Sequence, residues 1–420
     1  MRLLPRVFSA LSVLSDRSFW RSSGLLLLAS LIGGVLALVR MPLMTWLLPK
    51  NQVGVISVVA SWLPFLQLLS LSGLDTASYH YVAGEKHWAY VVGIVHRLRW
   101  SLLSVFGFLA GAIYWWWRGE GLLVQVFVIA ALTFPVVAGL TACGSTLGAR
   151  QDFHSLFWYR LGESLCTFAG FVPLGLSLVW LSRVSTYYLA NQVVLGCMHL
   201  VFCFYLVRQL GKEKIPRPET DETRGLLRYG RHLTVLNGIS VLQSQGDALI
   251  VGTLMPVEIM ADYSIALMIQ QQIKRLWIIY VSVRYPLFVR MPVVQRRRQM
   301  LWEGAAIWFC FIAAGFVFCL AAPWLFSVFL PSSYLSSLKY VNWLTATTLV
   351  GTPGGIAEVY FRSEQNEKRQ YTMRVIGATS LVLSLVLLGR LGVSGVIAGR
   401  FVANLIFSIT GVWLFARDSR

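Results

Sequence analysis

The feature that most limits how this chain can fold is an apolar run of about 20 residues, repeated from end to end. At about 1.5 Å per helical residue, each run is long enough to cross ~30 Å of hydrocarbon. Such runs cover 24–48, 53–79, 88–117, 121–147, 153–181, 186–206, 227–254, 259–287, 300–326, 338–360, 371–388 and 393–415. A backbone inside lipid must satisfy its own N–H and C=O groups. Twelve runs therefore predict about twelve transmembrane helices and an all-α integral membrane protein. Composition agrees, since 56% of the residues are hydrophobic and only 13% charged, against about 25% charged in a soluble domain. The connections are too short to hold a soluble catalytic domain. The longest, 208–226, reads as a basic cytoplasmic linker between an N-lobe over 24–207 and a C-lobe over 227–420. Residues 1–23 carry Arg2, Arg6, Arg17 and Arg21 among apolar side chains. They read as an interfacial amphipathic segment leading into the first span, with no small-residue cleavage site behind it.

If the first span enters from the cytoplasm, the outside holds only Lys50, Arg118, Arg183, Lys339 and Arg390. With four more cations inside spans, 27 of the 36 Lys and Arg lie at the inner side. The positive-inside bias then places both termini in the cytoplasm. The net charge of +18 follows from that topology and calls for no nucleic acid, because the basic residues track membrane exits rather than cluster on a soluble face. The six cysteines fall inside apolar spans at no metal-ligand spacing, and no Cys-x-x-Cys pair, His-x-x-x-His or phosphate-binding glycine loop is present. No cofactor is expected, and a coupling ion, proton or sodium, stays open.

The halves read as one unit used twice. Arg40 and Asp247 are 207 residues apart, as are Pro49 and Pro256, and the same offset lays the sixth span on the twelfth and Ser57 on Ser264. An even number of spans per half makes this a parallel repeat, with six helices in each lobe.

Charges inside hydrocarbon cost at least ~2.5 kcal/mol each unless they face protein or water. The basic ones are Arg40, Lys274, Arg275 and Arg400, with Arg284 close behind; the acidic ones are Asp75, Glu163, Asp247 and Glu358. The cations are candidates for holding an anionic substrate, the acids for gating or coupling. On the eighth span, Gln270 with Lys274 and Gln271 with Arg275 stand at i,i+4, while Ser240, Gln243 and Asp247 share one face of the seventh. Arg40, on the repeat-related first span, is the expected partner of Asp247. Trp62, Trp277 and Tyr280 lie away from helix ends and are candidate sugar-stacking surfaces; Gln243 and Gln271 are candidate glycan contacts.

The string from Gly24 through Ser57, the SerLeuSerGlyLeuAspThrAlaSer of 70–78, the AspAlaLeuIleValGlyThr of 247–253 and the AlaAspTyrSerIleAla from Ala261 resemble the Wzx-type O-antigen and polysaccharide flippases. These belong to the superfamily of multidrug extruders and lipid II flippases. The resemblance implies a multi-pass protein of the bacterial inner membrane with a cationic cavity between its lobes. That cavity would hold the pyrophosphate of an undecaprenyl-linked glycan while the tail stays in membrane lipid, and a polysaccharide polymerase of the same pathway would be its partner. A first-helix arginine of the lipid II flippases looks like the counterpart of Arg40, but the acidic residue that often follows it there is Met41 here. That departure, and twelve spans rather than fourteen, favour O-antigen or another surface polysaccharide over the peptidoglycan precursor. A lipid II or multidrug-type transporter is the alternative, and a membrane-embedded ligase or polymerase a more distant one.

Overall fold

A computed structural model describes residues 17–176, 181–210, 219–364 and 366–417. Residues 1–16 of the amphipathic segment and most of the linker, 211–218, lie outside the described residues, as do the side chains of Lys274 and Arg275. Among the described residues every regular element is helical. In order these are α1 (Arg17–Leu47), α2 (Lys50–Leu69), α3 (Gly73–Ala83), α4 (Trp88–Trp117), α5 (Gly121–Leu140), α6 (Ala142–Ala149), α7 (Phe153–Cys166), α8 (Phe171–Gly175), α9 (Arg183–Leu210), α10 (Thr220–Leu254), α11 (Val257–Arg290), α12 (Val293–Phe329), α13 (Leu338–Ser363), α14 (Glu367–Leu388) and α15 (Val393–Arg417). Short 3-10 turns, Ser332–Ser337 and Gly389–Leu391, precede α13 and α15.

Eight of these segments are long and apolar enough to cross a membrane, by length and composition alone. The other four of the twelve expected crossings fall on α7 with α8, α10, α11 and α13. Three of these are long but carry polar side chains that turn into protein rather than lipid: Asp247 on α10, Gln270 on α11 and Thr347 on α13 are all buried. Burial in protein lets a membrane helix keep such residues, and the residues themselves make the helix less apolar than one that faces lipid.

The chain forms two compact units, residues 1–40 with 67–235 and residues 41–66 with 236–420. The end of α1 and most of α2 thus pack with the second half of the sequence. Close approach of α2 to α11 requires a residue with no side chain. A methyl group added at Gly54 would overlap the Val257 carbonyl, and one turn on, the repeat-related Ser57 and Ser264 bond through their hydroxyls at 2.7 Å. We expect Gly54→Ala to lower thermal stability in detergent by roughly 1–3 kcal/mol, as overpacking does. Gly121→Ala, where an added methyl meets nothing within 4 Å, should be neutral, and equal midpoints for the two variants would refute the close crossing.

In the second unit α13 carries Pro353 inside the helix. Proline has no N–H to give the carbonyl four residues back, which is that of Leu349. Trp308 of α12 donates its indole N–H there at 2.9 Å. Ser408 of α15 repairs the next turn: its hydroxyl donates to the Val350 carbonyl at 2.6 Å and accepts the Gly354 N–H at 3.1 Å. The interrupted helix is therefore fixed by its two neighbours, and that fixes the wall of the cavity described next.

Candidate functional site

A cavity of 360 Å³ lies within the second unit, lined from α10 by Ser240, Gln243 and Ser244 and from α11 by Trp277. Three of its walls follow helical spacing. Ser240, Gln243, Ser244 and Asp247 recur at i, i+3, i+4 and i+7 on α10. Thr348, Gly351, Thr352, Gly355 and Glu358 do so on α13, and Arg400, Asn404 and Phe407 on α15. Gly351 and Gly355 make room: a methyl group at Gly355 would reach the Trp277 indole nitrogen at 3.8 Å. Phe311 of α12 and Arg374 of α14 complete the lining.

The cations of this cavity have their anions beside them. Arg400 forms an ion pair with Asp247, the two side chains being 4% and 0% exposed. The Tyr263 hydroxyl donates to the same carboxylate. Asp247 was expected to answer Arg40, but its described partners are Arg400 and Tyr263. Arg374 donates through Nε and an η nitrogen to one Glu358 oxygen at 2.9 and 2.7 Å, with about a quarter of each side chain exposed. Arg284, expected as a further substrate cation, is bound by Glu303, whose other hydrogen bonds come from the Tyr280 hydroxyl at 2.8 Å and the Gln299 amide at 2.6 Å. Tyr280 also stacks on Trp277, with ring centroids 5.6 Å apart and planes 30° from parallel.

The remaining expected residues are spread more widely. Gln270 is buried and donates to the Leu344 carbonyl and the Thr347 hydroxyl, each at 3.3 Å, while Gln271 is exposed. Trp62 is half-buried on α2 and Glu163 exposed on α7. In the first unit Asp75 pairs with Arg97 and accepts the Thr141 hydroxyl at 3.4 Å. Arg40 is half-buried, and its Nε has no hydrogen-bond partner among the described residues. Asp262, near the start of α11, is held by Lys50 at 2.8 Å and by the Ser336 and Ser337 hydroxyls at 2.8 and 2.9 Å.

Reading the sequence alone passed over Arg374, Asn404, Tyr263, Glu303 and Arg97. For Arg97 the signal was there. Ser101, Ser104, Phe108, Gly111 and Trp115 continue from it at three- and four-residue steps, and that face of α4 is buried along its length.

No curated protein sequence matches the chain. Among solved structures it is similar to an inward-facing multidrug resistance MATE transporter of the MOP superfamily, at 12% identity and TM-score 0.70 over 92% of this chain and 94% of that one. It is also similar to a MOP superfamily transporter from Pyrococcus furiosus described as having a binding pocket of reverse polarity (14%, 0.66, 94% and 95%). The lipid II flippase MurJ in an inward closed conformation is a third (12%, 0.65, 92% and 86%). At these identities the likeness is one of fold, and the fold is that of the multi-pass MOP transporters. The profile of the family described as "Polysaccharide biosynthesis protein" matches residues 19–292, well over half of the sequence. The chain belongs to the polysaccharide biosynthesis protein family.

Proposed function

We propose that the protein is a flippase. Its cargo is an undecaprenyl-pyrophosphate-linked oligosaccharide, a repeat unit of O-antigen or another surface polysaccharide. It carries this from the cytoplasmic to the outer leaflet of the bacterial inner membrane by alternating access, with both termini in the cytoplasm. The observation that carries this reading is a 360 Å³ cavity rich in hydroxyl, amide and aromatic groups within one unit of a protein otherwise built of apolar helices. Polar groups converging on a cavity whose surface is mostly apolar are the usual make-up of a small-molecule site and fit a cargo with both characters. Membership of the polysaccharide biosynthesis protein family supports a polysaccharide precursor as that cargo. Arg40, with its unpartnered Nε, fits the pyrophosphate, whose charges must stay paired during the crossing; Lys274 and Arg275 are assigned to the same anion. A cation extruder would instead need a carboxylate without a counter-ion at this cavity, and there Asp247 and Glu358 are each bound to an arginine.

Purified protein in liposomes tests this directly. It should speed the transbilayer movement of a fluorescent undecaprenyl-pyrophosphate disaccharide, read by quenching from outside. Liposomes with an unrelated membrane protein should stay slow. Equal rates in the two preparations would sink the reading.

A further inference from the structure

We infer that the cavity of the second unit is a subsite for an uncharged sugar ring of the cargo, seated against Trp277, and that the pyrophosphate binds elsewhere. This rests on the flippase reading above and adds which part of the cargo the cavity takes.

Charge is the first ground. The two arginines of the lining, Arg400 and Arg374, are matched by Asp247 and Glu358, so the wall is formally neutral. A pyrophosphate entering there would have to detach an arginine from its carboxylate and then sit beside that carboxylate, now unpaired and repulsive.

Hydrogen-bond polarity is the second. Four hydroxyls of the lining already donate within their own helices: Ser240 to Leu236 at 3.1 Å, Ser244 to Val241 at 3.3 Å, Thr348 to Leu344 at 3.2 Å and Thr352 to Thr348 at 2.9 Å. The Asn404 amide donates to the Thr347 carbonyl at 2.8 Å. What the four hydroxyls leave for a ligand is oxygen lone pairs, while Asn404 keeps its second amide N–H and Arg374 the N–H groups that do not meet Glu358. A pyrophosphate offers only acceptors and would leave those hydroxyl lone pairs unanswered, whereas sugar hydroxyls both donate and accept and so match both kinds of group. The Gln243 amide, which bonds to none of the described residues, supplies donors on the α10 side.

Shape is the third. Trp277 has Tyr280 stacked on it and Phe311 in a T-shaped contact, with ring centroids 6.4 Å apart and planes at 77°, so the indole is held in place before a ligand arrives. Aromatic faces are electron-rich and attract the polarised C–H groups of a sugar ring. Gly355 keeps the edge of that indole clear. The volume of 360 Å³ lies at the low end of the roughly 300–1,000 Å³ typical of small-molecule sites, in keeping with a small part of the cargo.

The test compares two kinds of probe on purified protein in detergent. One is geranyl pyrophosphate. The other is the same lipid carrying N-acetylglucosamine, galactose or rhamnose. Wild type should bind at least one glycosylated probe more tightly than the bare one. Trp277→Leu should weaken that probe about tenfold and leave geranyl pyrophosphate unchanged. Because Trp277 also packs on its neighbours, Gly355→Val serves as the second variant: it keeps every polar and charged group, narrows the cavity, and should give the same selective loss with an unchanged thermal midpoint. Equal losses on both probes would place the pyrophosphate in the cavity, and unchanged binding of both would leave the cavity without a role; either overturns the inference. So does a wild type that prefers no glycosylated probe. If wild type moves the lipid-linked disaccharide in liposomes while these binding results fail, the subsite alone is lost. If that movement fails too, the flippase reading goes with it.

Discussion

Arg400→Met on its own should sharply reduce the folded protein recovered from membranes, and adding Asp247→Asn should restore most of it. The single change leaves the Asp247 carboxyl 0% exposed and without its guanidinium partner, with the Tyr263 hydroxyl its one remaining bond among the described residues. Removing one partner of a buried pair costs roughly 3–5 kcal/mol, a large part of the 5–15 kcal/mol that typically separates folded from unfolded states. The double variant replaces the pair with groups of similar size that carry no charge, and the asparagine oxygen can still accept from Tyr263. Replacing a buried pair whole is often neutral or stabilising. Tyr263→Phe should be milder, at about 1.5–3 kcal/mol for one hydrogen bond to a charged group. Membrane abundance and the thermal midpoint in detergent read all three. Normal abundance of Arg400→Met alone would mean that the pair does not hold the unit together.

The all-helical membrane fold was legible in the sequence because lipid permits so few backbone solutions, and apolar runs report it directly. The faces of the site were half legible. Ser240, Gln243 and Asp247 declare a polar face on α10 by spacing alone, and the same spacing from Thr348 to Glu358 on α13 and from Arg400 to Phe407 on α15 finishes the cavity. Those faces were obscured because threonine and glycine scarcely depart from an apolar pattern. Partner choice was the illegible part. Which carboxylate answers Arg400 depends on how α10 and α15 meet, and no local signal in either helix sets that. The repeat offset of 207 relates positions between the two halves and so offered Arg40 to Asp247, but it carries no information on partners within one unit, where Tyr263 and Arg400, 16 and 153 positions from Asp247, bond its carboxylate. Arg374 was hidden for a similar reason. Counted as one of many inner-side cations, it could not be distinguished from its neighbours until Glu358 was seen beside it.

Arg40 should behave in the opposite way to Arg400. Its Nε has no hydrogen-bond partner among the described residues, so Arg40→Ala leaves no described carboxylate stranded, and the variant should reach normal abundance with a near-normal thermal midpoint. Transport should nonetheless collapse. If the guanidinium grips the pyrophosphate through two charge-assisted bonds, each worth about 1.5–3 kcal/mol, their loss should slow movement of the undecaprenyl-pyrophosphate disaccharide in liposomes by on the order of a hundredfold or more. Arg40→Lys should fall between, because the ammonium keeps the charge and loses the planar fork that meets two phosphate oxygens at once. Raising the salt should narrow the gap between wild type and Arg40→Ala, since charge pairing open to water is screened. Surface-polysaccharide export in a deletion strain should follow the same order. Full export by Arg40→Ala would reduce this arginine to one whose charge merely reaches back to the membrane surface, and the cation that meets the pyrophosphate would then have to be sought at Lys274 and Arg275.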